Sequence, residues 1–417
     1  MQKRTMVVLA ISQVVGTVGV GIAPSIGVLL AEEVTSSETW AGLARTASTL
    51  GAAFLGLPLG MLAARFGRRA ALASGWWVSA VGAGVLIAAA QWSLTVPMFL
   101  GLLFIGAGTA TSLQSRFAAT DRARPQDQAK ALALIVWVGT LGMVLGPNLG
   151  VPGGVIGEAT GLTVFAGAFA IAAVCLAVAG LLVFVFLRPD PLAGRSEEVR
   201  LAGKSGAGLV RTPLRERARG AVDELRYNRP ARTAVIAVVT AQVVMVSVMT
   251  MTPVHVSHQG GSVEFVGVTI SLHILGMYAL APVVGLVTDR IGHRATIGIG
   301  IVIFGASLTV GAVSPESPAA VVTSLILLGV GWSFVNVAGS ALFSRAVPDE
   351  NRATAQGGVD ALSNLCGAVA AFASGPLMAV TSFRVLCIIA MVVLVPLIII
   401  TVARTENKVA PGARSDG

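Results

Sequence analysis

Apolar residues in this chain gather into long unbroken blocks, with polar residues confined to the short stretches between them. The blocks fall at about 7–29, 42–62, 71–91, 96–116, 131–151, 163–187, 232–254, 266–286, 295–313, 318–338, 355–376 and 382–402. Each approaches the ~20 residues a helix needs to cross a hydrocarbon core about 30 Å thick. A single segment in lipid must satisfy its own backbone hydrogen bonds, which selects the helix. The pattern therefore predicts an all-α membrane protein with 12 transmembrane helices. Lys3 and Arg4 before the first block imitate a signal peptide, but the block is long and nothing after Gly27 reads as a small-residue cleavage site, so a retained helix is expected.

Charge sorts the intervening stretches into two sets. Lys3/Arg4, Arg65/Arg68/Arg69, Arg116/Arg122/Arg124/Lys130, the stretch Arg188 to Arg232, Arg290/Arg294, Arg345/Arg352 and Arg404/Lys408 fall on one side. Glu32, Glu33, Glu38, Glu158, Glu264 and Glu316 fall on the other. Basic loops stay in the cytoplasm, so both termini are expected there and the bilayer is expected to be the cell inner membrane. Composition agrees: 55% of residues are hydrophobic and 12% charged, where a soluble domain carries about 25% charged residues. The formal charge of +9 is loop charge that orients the chain in lipid, and no nucleic-acid partner is implied. Cys175, Cys366 and Cys387 lie in apolar surroundings and form no disulfide pattern.

The stretch from Arg188 to Arg232 is the one extended polar segment, with a short amphipathic helix expected over Pro213 to Tyr227. It divides the chain into an N-terminal six-helix bundle (1–187), a cytoplasmic connector (188–231) and a C-terminal six-helix bundle (232–417). The halves repeat. Gly60, Arg65, Gly67, Arg68 and Arg69 follow the second block, and Gly285, Asp289, Arg290, Gly292 and Arg294 follow the eighth, at an offset of 225 residues. Parallel repeats of this kind rock about a site near mid-membrane to give alternating access.

These loops resemble the conserved loop between helices two and three of the major facilitator superfamily, Gly-x-x-x-Asp-Arg-x-Gly-Arg-Arg/Lys, and the resemblance covers essentially the whole chain. It implies the major facilitator fold, in two six-helix repeats, and a transporter, not an enzyme. In that family the acid and the basic residues form a cytoplasmic latch; Ala64 stands where the first copy would carry the acid, while Asp289 supplies it in the second. Gly142, Gly146, Pro147 and Gly150 in the fifth block resemble the Gly-x-x-x-Gly-Pro-x-x-Gly pattern of the superfamily's antiporters. Small residues there let helices approach and the proline bends the span. Phe99 to Gln114 in the fourth block lacks the arginine common in drug and proton antiporters, and Arg45 falls near the outer end of the second. Asp360 is the carboxylate placed well inside a block. A charge there is costly unless paired, protonated or wet, so it reads either as a proton site or as a structural carboxylate beside Asn364.

Blocks seven and eight hold soft donors. Met245 and Met249, and His273 and Met277, are each four residues apart and so share a helical face. Thioether sulfur and neutral imidazole suit Cu(I). At the 225-residue offset the first half has Val20, Pro24, Ser48 and Ala52 in their places, so the scaffold itself does not require them. Here the chain resembles the bacterial copper importers that supply cytochrome c oxidase assembly, whose signature is Met-x-x-x-Met in helix seven and His-x-x-x-Met in helix eight. That resemblance implies copper as the transported substrate, no permanently bound cofactor, and a cytoplasmic copper acceptor as partner. Met251, His255 and His258 are expected to collect an incoming ion near the outer end of span seven. The rival expectation is proton-coupled efflux of a drug-like organic solute, since methionines also line adaptable apolar pockets; a sensor on the same fold is a third. A monomer in the lipid bilayer suffices for any of these.

Overall fold

The computed structural model describes residues 2–121, 127–191, 228–347 and 349–402. Most of the connector, with the segment Pro213 to Tyr227, lies outside them. Twelve helices long and apolar enough to span a bilayer are present among the described residues: α1 (Lys3–Thr35), α2 (Glu38–Phe66), α3 (Arg68–Trp92), α4 (Thr95–Thr120), α5 (Lys130–Thr160), α6 (Val164–Phe186), α7 (Arg229–His258), α8 (Val263–Ile291), α9 (His293–Val313), α10 (Pro318–Ala346), α11 (Gly358–Val380) and α12 (Phe383–Val402). Several starts are capped as their sequence dictates. The side-chain oxygens of Thr163, Ser262 and Ser317 accept from the backbone N–H groups of Ala166, Phe265 and Ala320. Prolines interrupt three spans: α1 widens into a π turn at Ala23–Gly27, α5 tightens into a 3₁₀ turn at Gly146–Leu149, and α8 breaks after Tyr278 and resumes at Ala281–Ile291. Pro282 has no N–H to give the preceding turn, which fixes the last of these breaks.

Packing repeats between the halves with a shift of six helices. In the first, α1 packs against α4, α5 and α6, α2 against α4, and α3 against α4 and α6; in the second, α7 packs against α10, α11 and α12, α8 against α10, and α9 against α10 and α12. Small residues allow this in lipid, where helices gain nothing by hiding from the solvent. A Cβ on Gly51 of α2 would lie 1.9 Å from the Leu103 carbonyl oxygen of α4, and one on Gly106 of α4 would lie 2.4 Å from the Ser48 oxygen of α2. The antiporter-like glycines of α5 are close-packed too: a Cβ on Gly142 would meet Val14 and Thr17 at 2.2 Å, one on Gly146 would meet Gly21 at 2.6 Å, and one on Gly150 would meet Val263 of α8 at 2.5 Å.

The halves meet at the glutamate-bearing end. A Cβ on Gly42 would lie 2.5 Å from the Ala371 oxygen of α11, and one on Gly375 would lie 2.8 Å from the oxygens of Glu38 and Thr39. Thr46 Oγ1 donates to the Ala368 oxygen at 3.0 Å. On the other flank Ser271 Oγ of α8 donates to the Val144 oxygen of α5 at 2.6 Å, and Asn148 Nδ2 donates to Ser271 Oγ at 2.7 Å. His258 pairs with Glu32 and, at 3.3 Å, with Glu38, tying α7 to α1 and α2. Toward the arginine-bearing end the same face of α11 is bare: Asp360 and Asn364 are exposed. The molecule is therefore sealed at its acidic end and open at its basic end.

The repeated basic loops each turn on one glycine, Gly67 with φ +90° and Gly292 with φ +86°, where a side chain would be strained. Ala64 leaves the first loop without its own acid, and two others serve it. Asp121 pairs with Arg68 at 2.8 Å, and Asp190 accepts from the backbone N–H groups of Arg68 and Arg69 at 3.2 and 2.8 Å. In the second loop Asp289 faces Arg345 at 3.6 Å, both largely exposed. All of these links stay within one half.

Gly51→Ala is expected to destabilise the protein by about 1–3 kcal/mol, the usual cost of overpacking, whereas Gly84→Ala, with open space around the new methyl, leaves the melting temperature in detergent unchanged.

Candidate solute-binding site

The cleft that opens at the basic end is walled by helices of both halves, and depth along it follows from helix rise. At 1.5 Å per residue, Asp360 lies ~30 Å below the acidic end of α11 and Arg116 a similar depth below that of α4. By the same measure Tyr278, Gln242 and Trp332 lie at ~20–25 Å, and Arg45 at ~10 Å. The three middle residues form one unit: Trp332 Nε1 donates to Gln242 Oε1 at 3.1 Å, and the Tyr278 ring meets the Trp332 ring edge-on at 5.7 Å. Gly367, one face-repeat above Asp360 and Asn364, brings the α11 backbone against Gln242: its Cβ would lie 3.2 Å from that side chain. Across the cleft Gln13 Nε2 of α1 donates to Ser112 Oγ of α4 at 2.5 Å.

Asp360 makes no hydrogen bond or ion pair among the described residues, Asn364 included, and is within electrostatic reach of Arg116. It stands on the cleft wall, so water reaches it.

The soft donors are placed differently. Met245, Met249, His273 and Met277 are 3%, 6%, 0% and 6% exposed. His273 Nδ1 donates to the Leu325 oxygen of α10 at 2.8 Å, and its Nε2 is buried without a partner. A Cβ on Gly329 of α10 would lie 2.3 Å from the His273 oxygen and 3.1 Å from the Met277 nitrogen, so this part of α8 backs onto α10. Met251, His255 and His258 belong to the last turns of α7, which runs four residues past the end of the apolar block. Met251 is fully buried. His255 is held by the Pro315 oxygen at 2.7 Å and stacks on Phe383 at 4.3 Å.

Two residues gain a role that the chain's pattern concealed. Arg116 reads as a loop charge because the apolar block stops at it, yet α4 runs on to Thr120 and holds Arg116 inside the span with its Nε buried and unpartnered. Arg45 lies within electrostatic reach of Tyr278 and His273, and Tyr278 is also within reach of Arg116. Ala118 and Ala119, the strongest helix formers, with no glycine or proline before Thr120, are the signal that Arg116 belongs to the helix.

A bundle of twelve spans, repeated packing and a polar cleft closed at one end define a solute carrier. The chain matches the Major Facilitator Superfamily over residues 8–265 and again over 234–416 and belongs to that family. It is a secondary-active, multi-pass membrane transporter of small solutes, of the kind found in the bacterial inner (plasma) membrane. It is 35% identical over 412 residues to the MFS-type transporter YddS of Bacillus subtilis strain 168, covering 97% of this chain and 92% of that one. It is 28% identical over 378 residues to the riboflavin transporter RfnT of Brucella anthropi, covering 90% and 89%. Among solved structures the nucleoside transporter NupG shares the fold, with a TM-score of 0.71 at 17% identity over 97% of this chain and 100% of that one.

In a variant with its native cysteines replaced by alanine, Asp360→Cys and Asn364→Cys are expected to react readily with a membrane-impermeant maleimide applied from the basic side. Ala371→Cys, on the same helix face but inside the seal, is expected to react at least an order of magnitude more slowly.

Proposed function

We propose that the protein carries a small organic solute across the membrane, with protons as the driving ion. The observation that supports this best is the composition of the open cleft: a solute entering from the basic end meets Asp360, then Gln242 and Tyr278, half-buried around the buried Trp332, while the four soft donors are covered. An indole edge, a phenol and an amide suit a ring with polar edges, since aromatic pairs are attractive beyond the area they bury. The relative named for riboflavin supports an organic cargo. Asp360 is the proton carrier, because a carboxylate without a partner inside a span gains and loses a proton at lower cost than one locked in an ion pair. Loading takes place at the basic end, which the charge rule assigns to the cytoplasm, and the antiporter-like glycines of α5 assign outward movement.

Copper transport is retained as a second reading on one observation. His273 donates through Nδ1 to a backbone carbonyl and keeps a bare Nε2 lone pair, an arrangement that orients imidazole toward a metal. Met245, Met249 and Met277 would complete that site, with Met251, His255 and His258 toward the acidic end.

Inside-out vesicles with an imposed proton gradient, challenged with riboflavin and a panel of aromatic solutes, separate these readings. Wild type is expected to accumulate at least one organic solute. Asp360→Asn is expected to abolish accumulation while leaving exchange of solute for solute intact, and Trp332→Phe, which loses one hydrogen bond of about 1 kcal/mol, to raise KM about fivefold. Radioactive copper uptake lost in His273→Ala at matched expression, with no organic solute moved, would reverse the assignment.

A further inference from the structure

The cleft holds more positive charge than it answers. The guanidinium groups of Arg45 and Arg116 make no hydrogen bond or ion pair among the described residues, and the Nε of Arg116 is buried. Both lie within membrane-spanning helices. Arginine remains charged under all ordinary conditions, so neither group can escape its position by losing a proton. A charge held in a span without a partner is costly, and such residues mark the path of a charged ligand. Asp360 is within electrostatic reach of Arg116, yet the two are not in contact as an ion pair. Even counting it as ionised, two cations face one anion.

The placement of the two arginines follows the route. Arg116 stands at the mouth, beside Asp360 and at a similar depth. Arg45 stands beyond Tyr278, ~10 Å below the sealed end by helix rise. Tyr278 is within electrostatic reach of both and so marks the middle of the path. A guanidinium presents a planar fork of N–H donors that fits the two oxygens of a carboxylate or other oxyanion. We infer that the cargo is an organic anion, taken up through its oxyanion by Arg116 at the mouth and passed along Tyr278 to Arg45 at the closed end. This rests on the organic-solute reading and narrows it to a charge class: the aromatic and amide unit receives the body of the solute and the arginines receive its anionic group.

Benzoate and benzamide test the charge class without the natural cargo, since they share a ring and differ in the anionic group. Binding to the purified full chain is measured by calorimetry and by the shift in melting temperature. Wild type is expected to bind benzoate at least tenfold more tightly than benzamide, the scale of one charge-assisted hydrogen bond. Arg116→Gln and Arg45→Gln are each expected to remove part of that preference and Arg45→Gln/Arg116→Gln to remove it, with Arg116→Lys keeping more of it than Arg116→Gln. Equal response of the wild type to the two probes overturns the inference, as does a benzoate preference that survives in Arg45→Gln/Arg116→Gln. Failure of the underlying reading looks different: benzoate preferred as stated, but no organic solute moved in vesicles, leaves the anion site standing and removes the transport assignment. Gradient-driven movement of neutral riboflavin with no benzoate preference does the reverse.

Discussion

A charged group inside a bilayer must be answered by an opposite charge, by water or by a ligand, and that constraint organises this molecule. The outer glutamates and His258 answer one another where the halves meet. Arg68, Asp121 and Asp190 answer one another at a loop. Arg45, Arg116 and Asp360 make no hydrogen bond or ion pair among the described residues and are left to water and solute. The rest of the polar inventory of the spans is small and mostly spent on local bonds, hydroxyl to carbonyl one turn back, as with Thr111 to Ala107 and Thr252 to Val248.

The same division explains why the halves separate at one end only. At the basic end each loop is satisfied by Asp121 and Asp190 in the first case and by Arg345 in the second, so with the cleft open neither loop is left without a partner. At the acidic end the contacts cross. Breaking them exposes carbonyl oxygens, Ser271 and the side chain of His258, and reaching the opposite state requires replacements at the basic end. Ala64 bears on this, because the position where the first loop would offer an acid to the other half is a methyl group.

Most of the fold was legible in the chain. Block length and the alternation of loop charge located twelve spans, and the repeated Gly-to-Arg loops announced the duplication that the six-helix shift in packing displays. The candidate site was less legible, for two physical reasons. A charge on a water-filled cleft and a charge in a loop look alike in sequence, so Arg116 reads as loop although its helix continues for another turn. A spacing of four puts His273 and Met277 on one face but leaves the rotation of that face undetermined; in the structure it backs onto Gly329 and Leu325 of α10 and is covered. A rare histidine stands out in the chain, while the Gln242–Trp332–Tyr278 unit joins three separate helices and has no sequence signature at all.

The contact of Gly42 with Ala371 and Gly375 closes the acidic end by laying main chain on main chain, with no side chain between. A plug of side chains changes rotamer in nanoseconds and admits passing water; two apposed backbones cannot. For a membrane that stores energy as a proton gradient this matters more than cargo affinity. A carrier that seeps protons during each idle moment dissipates that store, and in this chain part of the closure rests on two residues too small to be noticed in any list of functional side chains.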